Sequence, residues 1–265
     1  MNLSADHRTY LKLVAVTMIW GGTFVAGRYV AASVDPLLAA SLRFVLASLA
    51  LVLFMAFTRT PLVRPSVTQL AQLAALGACG IYAYNLCFFY GLQYINASRA
   101  SLIVALNPAV IGLASWLLFR ERLGRVKLLG IALCLGGAAT VIVSRNPQLL
   151  QGTVNAWRGD LLIFGCVAGW GVYSLCSREL NQRLGPLQTV TWSILLGTGM
   201  LMITTLISGR LTLNALAAVH LPQLLGLLYL GVVGSAVAYI GWYDGIRRIG
   251  ATRAGVFIAL NPLTA

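Results

Sequence analysis

The sequence predicts an all-α integral membrane protein built from two five-helix repeats inserted in opposite orientation. Two observations support this fold class: an apolar composition broken by short basic segments, and a long stretch that recurs at a fixed spacing. Hydrophobic residues make up 59% of the 265 residues and charged residues 9%, and the mean hydropathy is +0.84. Soluble domains usually contain about a quarter charged residues, so we expect this chain to lie in a lipid bilayer.

The charge balance argues against a nucleic-acid partner. The chain carries 19 Lys and Arg against 6 Asp and Glu, a net charge of +13. In a soluble protein this excess would suggest nucleic-acid binding, but here the basic residues lie in short gaps between apolar runs. Basic residues in such gaps anchor and orient membrane helices. We therefore expect contact with lipid and none with nucleic acid.

Apolar runs long enough to cross a bilayer follow one another along the chain. The first, 11–31, follows His7 and Arg8 and is about 20 residues long, with no small-residue cleavage site after it. We interpret it as an uncleaved span rather than a signal peptide. Further spans are predicted at 37–57, 69–92, 98–119, 126–144, 159–180, 186–207 and 222–246, and a ninth begins near Thr252.

A duplicated stretch indicates the domain organisation. Residues 77–111 recur at 231–265 with a spacing of 154, no gap and 11 identities in 35 positions. A weaker match at a spacing of 150 joins the first helices of the two units. The matched blocks are Arg-Ala at 99–100 and 253–254, Ala-Leu-Asn-Pro at 105–108 and 259–262, Trp-Gly at 20–21 and 170–171, Arg28 with Arg178, and Pro36 with Pro186. These matches predict a duplicated unit.

The duplication divides the chain into a first repeat, 1–145, a connection, 146–158, and a second repeat, 159–265. Because Ala265 corresponds to Ile111, we expect the second repeat to lack the end of its fourth helix and its fifth helix. About nine of ten helices would then be present. Two tandem units with an odd number of helices enter the membrane with opposite orientation, so the pseudo-two-fold axis lies in the membrane plane.

The charges at the span ends predict a cytoplasmic N-terminus. With that orientation the inner ends carry 13 basic residues and the outer ends 6, as the positive-inside bias requires. The inner set is Arg8, Lys12, Arg59, Arg64, Arg120, Arg122, Arg125, Lys127, Arg178, Arg183, Arg247, Arg248 and Arg253. The outer set is Arg28, Arg43, Arg99, Arg145, Arg158 and Arg210.

These features resemble one family of membrane proteins. The two five-helix units, the Trp-Gly pair in each first helix, the Ala-Ser/Thr-Arg-Ala start of each fourth helix and its Ala-Leu-Asn-Pro centre are similar to the EamA-type branch of the drug/metabolite transporter superfamily. The resemblance spans essentially the whole chain. We expect the chain to depart from the family pattern in lacking the tenth helix.

The resemblance implies a ten-helix carrier in the cytoplasmic, or bacterial inner, membrane. The first, third and fourth helices of each unit would surround a central cavity. Such carriers usually export small metabolites or amino acids, aromatic amino acids among them. Inverted repeats also favour alternating access, because the two halves can exchange roles. The alternatives are a channel-like facilitator, an exporter of drug-like or sugar-type solutes, and an intramembrane enzyme or assembly subunit.

Two prolines mark the candidate transport site. Pro108 and Pro262 lie near the middle of matched helices, where each removes a backbone donor and should kink its helix. Interrupted helices at corresponding positions of two repeats point to a midplane substrate site. Asn107 and Asn261 precede the prolines and could bind a freed carbonyl or a substrate. The alternative is a packing kink without ligand contact.

Aromatic and amide side chains form the second part of the predicted site. Tyr82, Asn85 and Phe89 fall at helical spacing on one predicted face. Tyrosines in lipid would leave their hydroxyls unpaired, so mid-span tyrosines should face the bundle interior or water. The other predicted lining residues are Trp20, Trp170, Tyr173, Tyr239, Trp242 and Tyr243. Core packing is the alternative for each.

Arg99 and Arg253 are candidates for gating or scaffolding. Each follows a predicted N-cap, Ser98 or Thr252, at a helix end where the dipole disfavours a cation. They could extend to lipid headgroup phosphates or bind carbonyls of the preceding loop. In either case we expect no direct substrate contact.

The sequence shows no catalytic or cofactor-binding pattern. The six acidic residues lie in loops or near span ends, His7 and His220 are peripheral, and the five cysteines lie within spans without a CxxC pair. Nucleotide-binding fingerprints are absent. We therefore expect neither an enzyme nor a metal, cofactor or ATPase subunit. Without a buried carboxylate as proton relay, facilitated flux or another form of coupling remains.

Overall fold

The computed structural model describes residues 3–119 and 155–265, with a few short pieces between 124 and 140. Most of the predicted span 126–144 and most of the 146–158 connection lie outside the described residues. The described part is helical throughout, without a β-strand. Seven helices in it are long and apolar enough to cross a bilayer. The predicted all-α membrane fold is thereby confirmed.

The described helices follow the predicted spans closely. They are α1 (Leu3–Ala31), α2 (Pro36–Phe57), α3 (Val67–Tyr94), α4 (Ala97–Val104, resumed as Asn107–Phe119), α5 (Ala156–Leu184), α6 (Pro186–Ile207), α7 (Leu221–Ile249) and α8 (Ala251–Gly255, continued by a 3-10 helix, Val256–Leu263). A short helix, Leu213–Ala217, precedes α7. Apolar side chains such as Leu53 and Leu161 are two-thirds exposed, as expected of residues that face lipid.

Local capping residues set several helix starts. The Asp35 carboxylate accepts hydrogen bonds from the backbone N–H groups of Leu37 and Leu38, and Pro36 occupies the first turn of α2. The N-cap of α4 is Asn96, whose side chain accepts from the Arg99 N–H at 2.8 Å. The prediction that Ser98 and Thr252 cap these helices is wrong: α4 begins one residue before Ser98, and α8 begins at Ala251 after Gly250, whose φ is 83°.

Both third helices contain a π-helical segment that the sequence did not reveal. The π-helical segments are Gly77–Ala83 in α3 and Tyr229–Val237 in α7. They correspond in the duplication, because residues 231–237 match residues 77–83 at the spacing of 154. A π turn contains more than 3.6 residues, so it rotates the following helix relative to the preceding one. Side-chain directions beyond the segment therefore differ from those of a continuous α-helix.

The two units meet through glycines at equivalent positions. A Cβ atom on Gly77 would lie 2.8 Å from the Ser193 carbonyl oxygen of α6, and one on Gly231 would lie 2.5 Å from the Arg43 carbonyl oxygen of α2. Ser193 and Arg43 are themselves counterparts at the spacing of 150. Each π segment thus packs against the second helix of the other unit, where only glycine allows such close backbone contact.

Helices α2 and α6 pack antiparallel. The Ser48 and Thr198 hydroxyls meet at 2.9 Å near the middle, Ser41 meets Thr205 at 2.6 Å on one side, and Thr191 contacts Met55 on the other. At the spacing of 150, Ser41 corresponds to Thr191 and Met55 to Thr205. The Ser41–Thr205 contact therefore reappears as the Thr191–Met55 contact, with the roles of the two units exchanged. This is the pattern that a two-fold axis perpendicular to these helices would produce. The orientation of the units in a bilayer stays a prediction.

Replacing Gly77 by alanine should destabilise the protein, because the new methyl group would overlap the α6 backbone at Ser193 and Gly197. Overpacking of this kind costs about 1–3 kcal/mol, which would lower the melting temperature of the purified protein in detergent. Gly199→Ala in α6 is the matched control, since nothing lies within 4 Å of its added Cβ. Equal melting temperatures for the two variants would contradict the close approach.

Candidate functional site

A narrow cavity lies where the interrupted helices of both units meet. It is bordered by the first, third and fourth helices of each predicted unit, and by α2 through Arg43. The lining residues are Trp20, Thr23, Phe24, Arg43, Tyr84, Phe88, Val104, Asn107, Trp170, Tyr239, Ile258 and Asn261. Mostly apolar walls with a few polar groups are typical of small-molecule sites.

The aromatic wall of the cavity combines both units. Trp20 of α1 and Trp170 of α5, which are counterparts in the duplication, meet edge to face with ring centroids 5.1 Å apart. Tyr239 packs against both rings, at 6.0 Å and 5.3 Å. The Trp20 Nε1–H donates to the Gly234 carbonyl at 2.9 Å, whereas the Trp170 Nε1–H has no partner among the described residues. One indole is therefore held in place and the other keeps a donor available.

The break in α4 explains the position of Asn107. Proline at 108 has no N–H to donate to the Val104 carbonyl, and the helix ends there and begins again at Asn107. The Asn107 side-chain amide donates to this freed carbonyl at 3.0 Å. Its own oxygen, Oδ1, has no hydrogen-bond partner among the described residues. Asn107 thus stabilises the break and leaves an acceptor at the cavity.

The second copy shows a related interruption. Around Pro262 the chain forms the 3-10 helix Val256–Leu263 instead of an α-helix. Asn261 is buried and lines the cavity, and its Oδ1 also has no partner in the described part of the chain. The two Asn-Pro pairs therefore place one unpaired acceptor from each unit at the same cavity.

Arg43 is a charged cavity residue that sequence reasoning missed. It was grouped with the outer span ends, but the structure places it among the buried residues with 3% exposure. Its Nε–H donates to Ser235 Oγ and its Nη1–H to Asn85 Oδ1, both at 3.0 Å. The sequence could have indicated a functional role for Arg43, because it is the only charged residue in the 22-residue helix α2. A charged residue inside a membrane span is a functional candidate by default.

The structure brings some of the predicted lining residues together and separates others from the cavity. Trp20, Asn107, Trp170, Tyr239 and Asn261 line it. Asn85 lies one contact away, through Arg43. The remaining predicted residues pack nearby without lining it: Tyr82, Phe89, Tyr173, Trp242 and Tyr243.

The predicted face of α3 is not the face that lines the cavity. Tyr84 and Phe88 line it instead, while Phe89 is fully buried and the Tyr82 hydroxyl accepts a hydrogen bond from Thr204 of α6. The expected face assumed 3.6 residues per turn from residue 82 onward. Because the π segment extends to Ala83, Tyr82 does not share the α-helical periodicity of Asn85 and Phe89.

The ends of the bundle are joined by ion pairs. The Arg99 guanidinium binds both carboxylate oxygens of Asp160 in α5, at 2.8 Å and 2.6 Å. At the other end, Lys12 of α1 lies 2.5 Å from Asp244 of α7. Arg253, the counterpart of Arg99, is exposed at the start of α8. Arg99, a predicted gating or scaffolding candidate, therefore links α4 to α5.

Comparison with known proteins identifies the family. The model of the EamA-like transporter family matches residues 7–143 and 157–265. The chain belongs to the EamA-like transporter family. It is thus a multi-pass membrane protein of a transporter family.

Individual relatives are similar along most of the chain. The uncharacterized transporter YyaM of Bacillus subtilis is 25% identical over 258 residues, covering 96% of this chain and 82% of the relative. A probable terminal-alkyne amino-acid exporter of Streptantibioticus cattleyicolor is 25% identical over 204 residues, covering 76% of this chain and 65% of that exporter. One crystal structure superposes with a TM-score of 0.74 at 20% identity, over 97% of this chain and 85% of the other, and it shares the fold.

Replacing Asn107 by leucine should lower the melting temperature, because the freed Val104 carbonyl loses its partner. Leaving one buried backbone group unpaired costs about 1–3 kcal/mol. Asn181→Leu in α5 is the matched control, since neither amide atom of buried Asn181 has a partner among the described residues. We expect that control to be neutral or stabilising. A larger loss for Asn181→Leu than for Asn107→Leu would contradict the capping role.

Proposed function

We propose that this protein is a secondary transporter that exports small metabolites, amino acids and aromatic amino acids in particular, across the cytoplasmic membrane by alternating access. One observation carries the proposal: the cavity lies where both fourth helices are interrupted, and both units contribute an unpaired Asn oxygen to it. Interrupted helices at corresponding positions are where carriers with repeated units bind their substrates.

The chemistry of the walls favours amino acids within the range of small metabolites. Rings from Trp20, Trp170, Tyr84, Phe88 and Tyr239 suit an apolar or aromatic side chain. Unpaired acceptors and an unpaired indole N–H suit a polar end group. One relative is named a probable terminal-alkyne amino-acid exporter, and an amino acid of that kind belongs to this class.

Alternating access is supported by the exchanged contacts of the two units. The π segments of α3 and α7 pack in equivalent ways against α6 and α2, so two conformations with exchanged roles would have similar packing energies. The Lys12–Asp244 and Arg99–Asp160 pairs then serve as closures at opposite ends. With a cytoplasmic N-terminus, favoured by the excess of basic residues at those ends, Lys12–Asp244 closes the inner side.

Transport is tested by counterflow in proteoliposomes, with a panel of radiolabelled amino acids outside and unlabelled solute inside. Saturable, transient accumulation is expected for the carrier, and linear, unsaturable flux would indicate a channel-like facilitator. Accumulation of sugars or drug-like cations but of no amino acid would refute the amino-acid part of the proposal.

Trp170→Phe should slow uptake about three- to tenfold, because an aromatic contact of this kind contributes about 0.5–1.5 kcal/mol. The phenyl ring keeps the site apolar but lacks the indole N–H and part of the contact with Trp20 and Tyr239. Trp157→Phe is the control, because Trp157 is 59% exposed at the start of α5. Equal uptake rates in the two variants would remove Trp170 from the site.

The two ion pairs should act in opposite directions on access to the cavity. In a protein whose native cysteines are replaced and Thr23 is changed to cysteine, Asp160→Asn should raise the rate of labelling by an impermeant thiol reagent from outside. The expected increase is about two- to fivefold, the range for a partly exposed pair. Asp244→Asn should lower that rate or leave it unchanged. Equal increases in both variants would contradict the assignment of the closures.

A further inference from the structure

Arg43 is a buried cation at the cavity without an acidic partner in the described part of the chain. Its side chain contacts Ser235 and Asn85, which are neutral, and the rings of Phe44 and Phe88 at 5.3 Å and 5.6 Å. The four acidic residues whose side chains are described each pair with another cation. These pairs are Asp35 with Arg210, Asp160 with Arg99, Glu179 with Arg183, and Asp244 with Lys12, Arg247 and Arg248.

The guanidinium group keeps hydrogen-bonding capacity for a ligand. Arginine has five N–H donors in a planar fork. The described contacts use Nε and Nη1, and none involves Nη2. Arg43 is among the residues that line the cavity. A bound anion could therefore reach the free edge of the fork, whose geometry matches a carboxylate.

A purely structural role explains this arrangement less well. Two neutral acceptors would be satisfied equally by a neutral donor, without the desolvation that a charged group requires in a membrane interior. Bonds to Asn85 of α3 and Ser235 of α7 instead hold the guanidinium at the junction of three helices. Asn85 in turn is fixed by its amide, which donates to the Ile81 carbonyl at 2.7 Å. The fork is thus held in one orientation.

Two other unpaired groups of the cavity are acceptors, whereas the guanidinium of Arg43 is a donor. Asn107 Oδ1 and Asn261 Oδ1 are acceptors without partners in the described structure, and they suit an ammonium group. The Trp170 Nε1–H is an additional donor. A guanidinium with two carbonyl-type acceptors around an aromatic cavity complements a zwitterion with an apolar side chain.

We propose that Arg43 binds the carboxylate of the transported solute, so that the cavity selects carboxylate-bearing compounds of the amino-acid type over amides and simple amines. This inference rests on the proposed transport function and names the group that recognises its substrate. Arg43 contacts the solute, whereas Asn85 and Ser235 are positioning residues that orient the guanidinium. The bound carboxylate neutralises the charge of Arg43, whose described hydrogen-bond partners are neutral.

The test uses the full chain in detergent and three probes: L-phenylalanine, L-phenylalaninamide and 3-phenylpropionic acid. The amide lacks the carboxylate and the acid lacks the ammonium group. In calorimetric titrations, Arg43→Gln should weaken binding of phenylalanine and phenylpropionic acid about ten- to hundredfold, the range for a charged hydrogen-bonded contact. Binding of phenylalaninamide should change less than about twofold, because it does not use the charge.

Two further variants separate recognition from folding. Arg43→Lys keeps the charge and should retain the preference for carboxylates, with weaker binding because the fork is lost. Arg28→Gln removes a cation of α1 that donates to the Leu92 carbonyl away from the cavity, and should leave all three affinities unchanged. If Arg43→Gln does not fold, Arg43→Lys still decides the inference: an equal loss for all three probes would overturn it.

The outcomes also distinguish this inference from the proposed function. Wild-type protein that binds phenylalanine and phenylalaninamide equally well would overturn the role of Arg43 while leaving amino-acid transport intact. A uniform loss for all three probes in Arg43→Gln would do the same. Failure of the wild type to bind any probe, combined with counterflow of no amino acid, would refute the proposed function and the inference together.

Discussion

The structure depends on one constraint: inside a bilayer every backbone polar group must find a partner within the protein. Helices satisfy this rule automatically, and a proline in mid-helix breaks it. Here the broken bond at Val104 is replaced by the amide of Asn107, so the same residue that stabilises the break leaves its oxygen at the cavity. The interruption of the helix and the unpaired acceptor at the cavity thus have one origin.

Close packing between the two units imposes a second condition. The π segments of α3 and α7 bring backbone against backbone at Gly77 and Gly231, and that contact carries Arg43 and Ser235 into the interior together. Without a hydrophobic driving force between helices in lipid, such small-residue contacts and interhelical hydrogen bonds provide the association. The Ser48–Thr198 and Ser41–Thr205 pairs between α2 and α6 are of the same kind.

Several features of the site followed from the sequence, because they depend on covalent or local properties. Pro108 and Pro262 had to interrupt their helices, and the duplication predicted that Trp20 would correspond to Trp170. In the structure the rings of Trp20 and Trp170 are in contact at the cavity. Arg43 was misplaced because a position near a span end, judged by counting residues, does not reveal which way a side chain points. Tyr82 was grouped with Asn85 and Phe89 because a π segment has no simple sequence signature.

The sequence by itself determined that the chain is an all-helical membrane protein with matched halves, because hydropathy and repetition are properties of the order of residues. It also determined where the helices are interrupted, since proline acts on its own backbone. Only the tertiary structure decided which polar groups remain unpaired, because pairing between α2, α3 and α7 depends on how distant segments pack. The buried guanidinium of Arg43 and its neutral partners belong to that second class.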